Sequence, residues 1–327
     1  MWPNDPCAAA KFIMNSGVPL SGMHVPIGAL QPVSKRSSFL YLEHVVVHRD
    51  SNAIVAMNDE GNSYIPAASI GVLLLGPGSR VTHQAMMLLG ESGVVVSWVG
   101  EGGGRLYAWA PSLAQSSRLL EIQAKLFSNR KTRLEVARKM YQMRFPSEDV
   151  SSATMQQLRG MEGARIRRMY RTLAAQFGVQ WRGRHYDPSD NQVGDTVNKC
   201  LSIANSVLYG VAHTAIVAIG CSPGLGFVHI GHLLSFVYDI GDLYKAEISF
   251  PAAFQVAANE EDCSPRNVRS DVRRRIYETR LLERIVDDIH FLFGTPSSDE
   301  PTVSSSLQLI DDISDIVPSG INYSQEL

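Results

Sequence analysis

The hydrophobic period of this chain changes once, near Ala110, and that change limits what it can fold into. Between Ser38 and Ala110 the apolar residues come in short β-branched and aromatic runs: FLYLEHVVV, AIVAM, SYIPAA, GVLLLG, GVVVSWV and RLYAWA. Turn chemistry separates them at Asp50-Ser51-Asn52, at Asn58-Asp59-Glu60-Gly61 and at Gly100-Glu101-Gly102-Gly103-Gly104, so they read as strands. One helix interrupts them, with Thr82 as N-cap, HQAMMLL as its body and Gly90 as its stop. From about Ser117 the apolar residues recur at three and four, as in Val197, Leu201, Ala204, Leu208, Val211 and Ala215. This pattern predicts helical segments at 117–144, 153–178, 195–219, 235–247 and 265–293. Asp195 and Ser264-Pro265 open two of these segments, and Gly220 and Gly294 close them. The expected fold is therefore α+β, a small β-rich amino-terminal domain followed by a larger all-helical domain.

The remaining segments lack either period. Residues 1–37 are interrupted by Pro3, Pro6, Pro19, Pro26 and Pro32 and read as an irregular extension. The β-rich domain then spans 38–110, a linker 111–122, the helical domain 123–293 and an acidic disordered tail 294–327. Within the tail, SLQLIDDISDIVPSG alternates apolar and acidic residues and could dock as a strand or short helix. No window approaches the 18 or so continuous apolar residues of a membrane span, and the start of the chain lacks a signal pattern, so the expectation is a cytoplasmic protein without a membrane partner. Cys7, Cys200, Cys221 and Cys263 form no C-x-x-C pair and read as reduced and structural.

Charge narrows the partner. The formal net charge is only -2, yet Lys125 to Arg184 holds 14 Lys and Arg against 4 Asp and Glu. A basic segment in a near-neutral chain fits a polyanion such as nucleic acid, and it equally fits a solvated helix face with salt bridges. The glycines at 100–104 have neither the G-x-G-x-x-G nor the G-x-x-x-x-G-K-[ST] spacing and precede a strand, so they read as a hairpin turn and not a nucleotide cofactor site.

The run GFVHIGHLLSFVYDIGDLYK carries the chemistry. Asp239 and Asp242 stand three apart in a segment of helical period, which puts them on one face, and His229 precedes them across Gly231. Glu162 stands alone among Arg159, Arg165, Arg167, Arg168 and Arg171. Carboxylates and an imidazole without a thiolate favour Mg²⁺ or Mn²⁺, and such an ion would polarise a phosphodiester oxygen. Each residue also has an ordinary reading. The aspartates could pair with Lys245 or arginines, Glu162 could bridge to Arg159 and Arg165 on its own helix, and His229 could be a hydrogen-bonded core residue.

Taken with GPGSRVTH (76–83), SWVGEGGGRLYA (97–108), QAKL and VARKMYQMRF (123–145), QLRGMEGARIRRMY (157–170) and WRGRHYDPSDNQVGDTVNKCLSIANSVLYGV (181–211), this run resembles the CRISPR-associated adaptation integrases, the universal first Cas protein, in their type I-E branch. The resemblance covers about Phe39 to Phe293. It implies that 123–293 is a metal-dependent catalytic domain with metal ligands at Glu162, His229 and Asp242, and a further essential acid at Asp239. It places DNA handling or site support on Arg80, Arg105, Asn198, Tyr209, Tyr238 and Lys245, and the basic segment adds Arg159, Arg165, Arg167 and Arg184. The implied reaction is insertion of short double-stranded DNA fragments into CRISPR repeat DNA by 3′-hydroxyl attack. A homodimer is implied too, joined with a small ferredoxin-fold Cas partner in a heterohexamer. Two other readings use the same residues: a nuclease acting on branched DNA in repair, and a DNA-binding scaffold without catalysis. This chain departs from the branch in carrying His232-Leu233 where a Lys and Pro are common, and Leu42-Glu43 where an aromatic and Gly are.

Overall fold

The computed structural model describes residues 39–59, 61–111, 117–184, 195–259 and 264–295, and the backbone at 308–309 and 317–318. The readings of residues 1–37, Cys7, Cys263 and most of the tail fall outside these residues. Within the tail, Gln308–Leu309 and Val317–Pro318 pair antiparallel, where the sequence reads as unstructured.

Two four-stranded sheets make up the first part of the chain. One has the strand order β1 (Phe39–Leu42), β5 (Val72–Leu75), β7 (Val95–Val99), β8 (Leu106–Ala110). The other has the order β4 (Gly61–Pro66), β3 (Ala53–Asn58), β2 (Val46–Asp50), β6 (Arg80–Val81). FLYLEHVVV, which reads as one strand, is therefore two strands in different sheets. The chain breaks at His44, whose φ is 53°, and its amide donates to Pro77 O at 2.9 Å in place of a ladder partner. Helix α1 (His83–Glu91) is capped by Thr82 as expected, but Gly90 lies inside it and the left-handed turn comes at Gly93, φ 74°. The 100–104 glycines form the expected hairpin turn, closed by the Gly100 amide donating to Arg105 O at 2.8 Å.

The rest is helical: α2 (Arg118–Ser128), α3 (Arg130–Arg144), α4 (Met155–Phe177), α5 (Thr196–Ala218), α6 (Ser235–Tyr244), α7 (Ser249–Ala257), α8 (Pro265–Glu278) and α9 (Leu281–Phe293). Helix α2 starts inside the segment read as a linker. Two long expected helices are each split. Asn129 is extended and caps α3 with its own side chain, and Arg280 enters the left-handed region at φ 50°. Helix α7 lies between the expected segments 235–247 and 265–293; its Pro251 sits in the first turn, where an amide has no intrahelical acceptor to lose.

Helix α5 organises the helical part. It is long and apolar enough to cross a membrane, a property the run-based sequence reading does not register, but 15 of its 23 residues are buried in the protein interior. Around it pack α6, α7, α8 and α9, with Phe236, Ile240, Phe250, Phe254 and Ile285 among the enclosed side chains. Each such side chain contributes roughly 1.5–3 kcal/mol by leaving water. The end of α5 also joins the sheets, where Ala218 packs with Val72, Leu74, Val95 and Val99. Gly210 sets this approach: a Cβ there would lie 2.6 Å from Gly104 C, so only glycine lets the helix reach the hairpin turn. Cys200 and Cys221 are buried and in no disulfide, and burial pushes Cys221 up to about 12, which keeps it inert.

Candidate functional site

A narrow cleft opens between α3, α6 and the loop that joins α5 to α6; Met140, Tyr141, Arg144, Val228, His229, Asp239 and Asp242 line it. The loop carries His229 and is held by Asp239. That carboxylate accepts from the amides of Phe227 at 2.5 Å, Val228 at 3.0 Å and His229 at 2.9 Å. It also meets His229 Nδ1 at 2.7 Å, and its side chain has no exposed surface. A carboxylate offers no proton, so Nδ1 is the protonated ring nitrogen and Nε2 keeps the lone pair for a ligand. The bond to Asp239 raises the pKa of His229 against the effect of burial, and the charges of Asp239 and Asp242 add to the rise. The imidazole remains 45% exposed, which is what a ligand-facing group needs. Asp239 is therefore a positioning residue, with its oxygens committed to the loop.

Asp242 lies one turn further along α6, nearly buried. Lys245 Nζ stands 2.6 Å from its Oδ1 and the Tyr209 hydroxyl donates to the same oxygen at 3.2 Å. Burial pushes the Asp242 carboxyl up, but Lys245 and Arg144 outweigh it and hold the group below the usual carboxylate range. The two aspartates share a helix face, as their spacing predicts, yet they divide their work and do not hold one cation in common.

Glu162 sits on α4 and turns to α3. The Tyr141 hydroxyl donates to Oε2 at 2.6 Å, and Arg144 Nη2 lies 2.6 Å from Oε1. The same-helix bridges to Arg159 and Arg165 that its spacing suggests are replaced by these tertiary partners. Arg159 instead donates to Val228 O at 2.9 Å, tying α4 to the loop before His229. Arg144 thus links the halves of the site, bonded to Glu162 and acting electrostatically on Asp242.

Among the described residues, no three His, Cys, Asp or Glu side chains stand close enough to ligate one ion. The direct convergence that the resemblance implies is not seen among them: Glu162 pairs with Arg144, and Asp242 with Lys245. The donor chemistry still suits a hard divalent ion, with two carboxylates, an imidazole whose outer nitrogen is preset and no sulfur. An ion ligated by Glu162 and Asp242 would compete with Arg144 and Lys245 for their carboxylates.

The other DNA-handling candidates are scattered. Arg80 on β6, Arg105 after the hairpin turn and Arg167 on α4 are exposed. Tyr238 packs its ring against Tyr209, His229 and His232 at 5.0, 5.9 and 5.3 Å, so it supports the site from within. Arg165 is bound to Glu148 and stacks over Phe145 at 4.0 Å, and Arg184 donates to Asn198 and Ser202; both are structural ties in place of the surface contacts expected of them. Asn198 is fully buried. Sequence reasoning assigned nothing to Tyr141 and Arg144, although the signal was present: a Tyr and an Arg three apart on one helix face, beside the buried Met140.

The sequence model of the family described as "CRISPR associated protein Cas1" matches residues 39–147 and 146–264. The CRISPR-associated endonuclease Cas1 of Clostridium sp. (strain SY8519) is 52% identical over 90% of this chain and 98% of its own length. That of Escherichia coli (strain K12) is 41% identical over 78% of this chain and 84% of its own. Among solved structures, a TtCas1-DNA complex superposes with a TM-score of 0.73 at 45% identity, covering 79% of this chain and 97% of that one. On this similarity, and with the sheet region and helical part arranged as in those relatives, the chain belongs to the Cas1 family.

Proposed function

We propose that this protein joins short double-stranded DNA fragments to CRISPR repeat DNA, a 3′-hydroxyl of the fragment displacing a repeat 3′-oxygen at phosphorus, in the manner of the type I-E branch. The observation that carries the reading is the oriented imidazole: His229, its tautomer fixed by Asp239, faces a cleft shared with Asp242 and with Tyr141 and Arg144, the partners of Glu162. Glu162, His229 and Asp242 would hold Mg²⁺ or Mn²⁺, which when bound supplies Lewis-acid polarisation of the phosphodiester and stabilises the entering and leaving oxygens. The rest falls to the chain's own groups. Asp239 holds the neutral ring's proton on Nδ1 and aims Nε2. Arg144 and Lys245, released from their carboxylates, are placed to neutralise phosphate oxygens. Tyr209 and Tyr238 hold the α6 side of the cleft. Bond exchange conserves the number of phosphodiesters, so no nucleotide cofactor is needed, and most of the rate comes from positioning and charge.

The proposed assembly is a homodimer joined to a small ferredoxin-fold Cas partner as a heterohexamer, acting in the cytoplasm. The test is an integration assay with that partner, comparing a 3′-hydroxyl fragment with its 3′-blocked twin. Joining should need the hydroxyl and disappear in Glu162→Ala and His229→Ala, with duplex affinity within threefold of the parent. Normal joining by either variant would remove the site assignment. A second reading draws on the name endonuclease carried by the relatives: water replaces the hydroxyl as nucleophile and branched DNA is cut. Hydrolysed products outnumbering joined ones on a branched substrate, with the partner present, would favour it.

A further inference from the structure

We infer that Gln123 is a positioning residue for His229, reaching it through the loop between α5 and α6; this rests on the proposed role of His229. Gln123 lies on α2 and is fully buried, which is rare for a glutamine. Its amide is engaged on both sides by residues about a hundred positions away. Nε2 donates to Ser222 O at 2.9 Å and to Leu225 O at 3.1 Å, and Oε1 accepts from the Ser222 amide at 2.7 Å. One side chain therefore supplies both donors and an acceptor to a loop that belongs to no helix or strand, a segment whose backbone groups must otherwise find water.

The loop transmits this grip at backbone contact. Leu225 is followed by Gly226, where a Cβ would lie 2.4 Å from His229 O and 2.7 Å from Ser235 C. The chain thus crosses itself there with no side chain to absorb movement. Phe236 donates to Pro223 O at 2.8 Å, fixing the same stretch to the start of α6. Beyond Gly226, Asp239 takes over at Phe227, Val228 and His229. The segment from Ser222 to His229 is accordingly clamped at both ends, by Gln123 before the crossing and by Asp239 after it. Asp239 sets the tautomer and rotation of the imidazole, and Gln123 sets where the whole turn sits. Asp239 does not reach Ser222 to Leu225, where Gln123 adds three bonds to the tie of the Phe236 amide on Pro223 O, and a misplacement of about 1 Å at a reacting group lowers rates on the order of a hundredfold.

The test uses the full chain with two variants. Gln123→Met keeps the volume and removes all three bonds; the milder Gln123→Glu keeps an acceptor for the Ser222 amide but sets a carboxylate against two carbonyls. Both should retain the parent's helical circular dichroism. Amide exchange at 222–229 should rise at least tenfold while α7 to α9 stay unchanged, and the His229 imidazole resonances should shift. The single-turnover joining rate of the folded protein should fall about a hundredfold in Gln123→Met, with KM for the duplex within threefold. The inference is overturned if exchange at 222–229 rises while the joining rate stays within threefold of the parent. It is equally overturned if His229 resonances do not move, or if activity falls only in proportion to the folded fraction. His229→Ala is run alongside: if it joins DNA normally, the proposed function fails, and the exchange and imidazole readouts still decide whether Gln123 positions the loop.

Discussion

Replacing Asp239 by asparagine exchanges one carboxylate oxygen for an NH2 group and tests the construction of the site. Oδ2 accepts from the Phe227 and Val228 amides, and Oδ1 from the His229 amide and Nδ1. An asparagine has one oxygen, so either rotamer turns an NH2 group toward two donors. If the amide nitrogen faces Phe227 and Val228, two buried backbone N–H groups lose charge-assisted bonds, each contributing about 1.5–3 kcal/mol. If it faces His229, the ring can recover a bond only by moving its proton to Nε2, which hides the lone pair meant for a ligand. Either way the loss of stability is roughly 3–6 kcal/mol, a large share of the 5–15 kcal/mol typical of a domain. The assays are urea unfolding, read as a lower midpoint at unchanged slope, and nitrogen NMR of the imidazole in the metal-free protein. The parent should show Nδ1–H and titrate above the ordinary histidine value, as its raised pKa requires, and Asp239→Asn should titrate lower. A variant within about 0.5 kcal/mol of the parent, with the tautomer and titration unchanged, would refute the reasoning.

Two further outcomes follow from side chains outside the cleft. His213 packs against Trp109 where α5 meets the sheet; its Nε2 has no partner and burial lowers its pKa to about 4. The unfolded chain binds that proton nearer pH 6.5, so the stabilisation is complete above 6.5 and is lost as pH falls toward 4, by about 2 kcal/mol at pH 5. His213→Phe should flatten the urea midpoint between pH 7 and pH 5, and an unchanged slope would show that His213 does not titrate as its burial dictates. Six of the 14 cations between Lys125 and Arg184 have internal partners: Arg138, Lys139, Arg144, Arg159, Arg165 and Arg184. The logarithm of duplex affinity should therefore fall with the logarithm of salt with a slope of magnitude about 3–7, where engagement of every cation would exceed 12. A flat dependence would remove this segment from the DNA surface.

What was legible in the sequence is what repeats along it. The change of period near Ala110 separates sheets from helices, and Thr82, Asp195 and Ser264 act as the caps they resemble. Single residues that interrupt a pattern were not legible. His44 divides a β-branched run between two sheets, and Asn129 and Arg280 each split a helix, because hydrophobic period does not register a left-handed residue or a side-chain cap. The candidate site shows the same division. The spacing of Asp239 and Asp242 gave their common face, but their separate partners come from a loop ten residues upstream and from α5. Glu162 was read against arginines on its own helix, while Tyr141 and Arg144 arrive from the neighbouring one. Arg165 and Arg184 counted as surface charge until the fold supplied Glu148, Asn198 and Ser202.

The central claim is that one divalent ion replaces two protein cations at this cleft. Anomalous diffraction from crystals of the protein grown with Mn²⁺ tests it most directly. The account predicts one peak within about 2–2.5 Å of Glu162, His229 Nε2 and Asp242, with Arg144 and Lys245 swung away from their carboxylates. Arg144 still on Glu162 and Lys245 still on Asp242 at saturating Mn²⁺, with the peak absent or elsewhere, would contradict it.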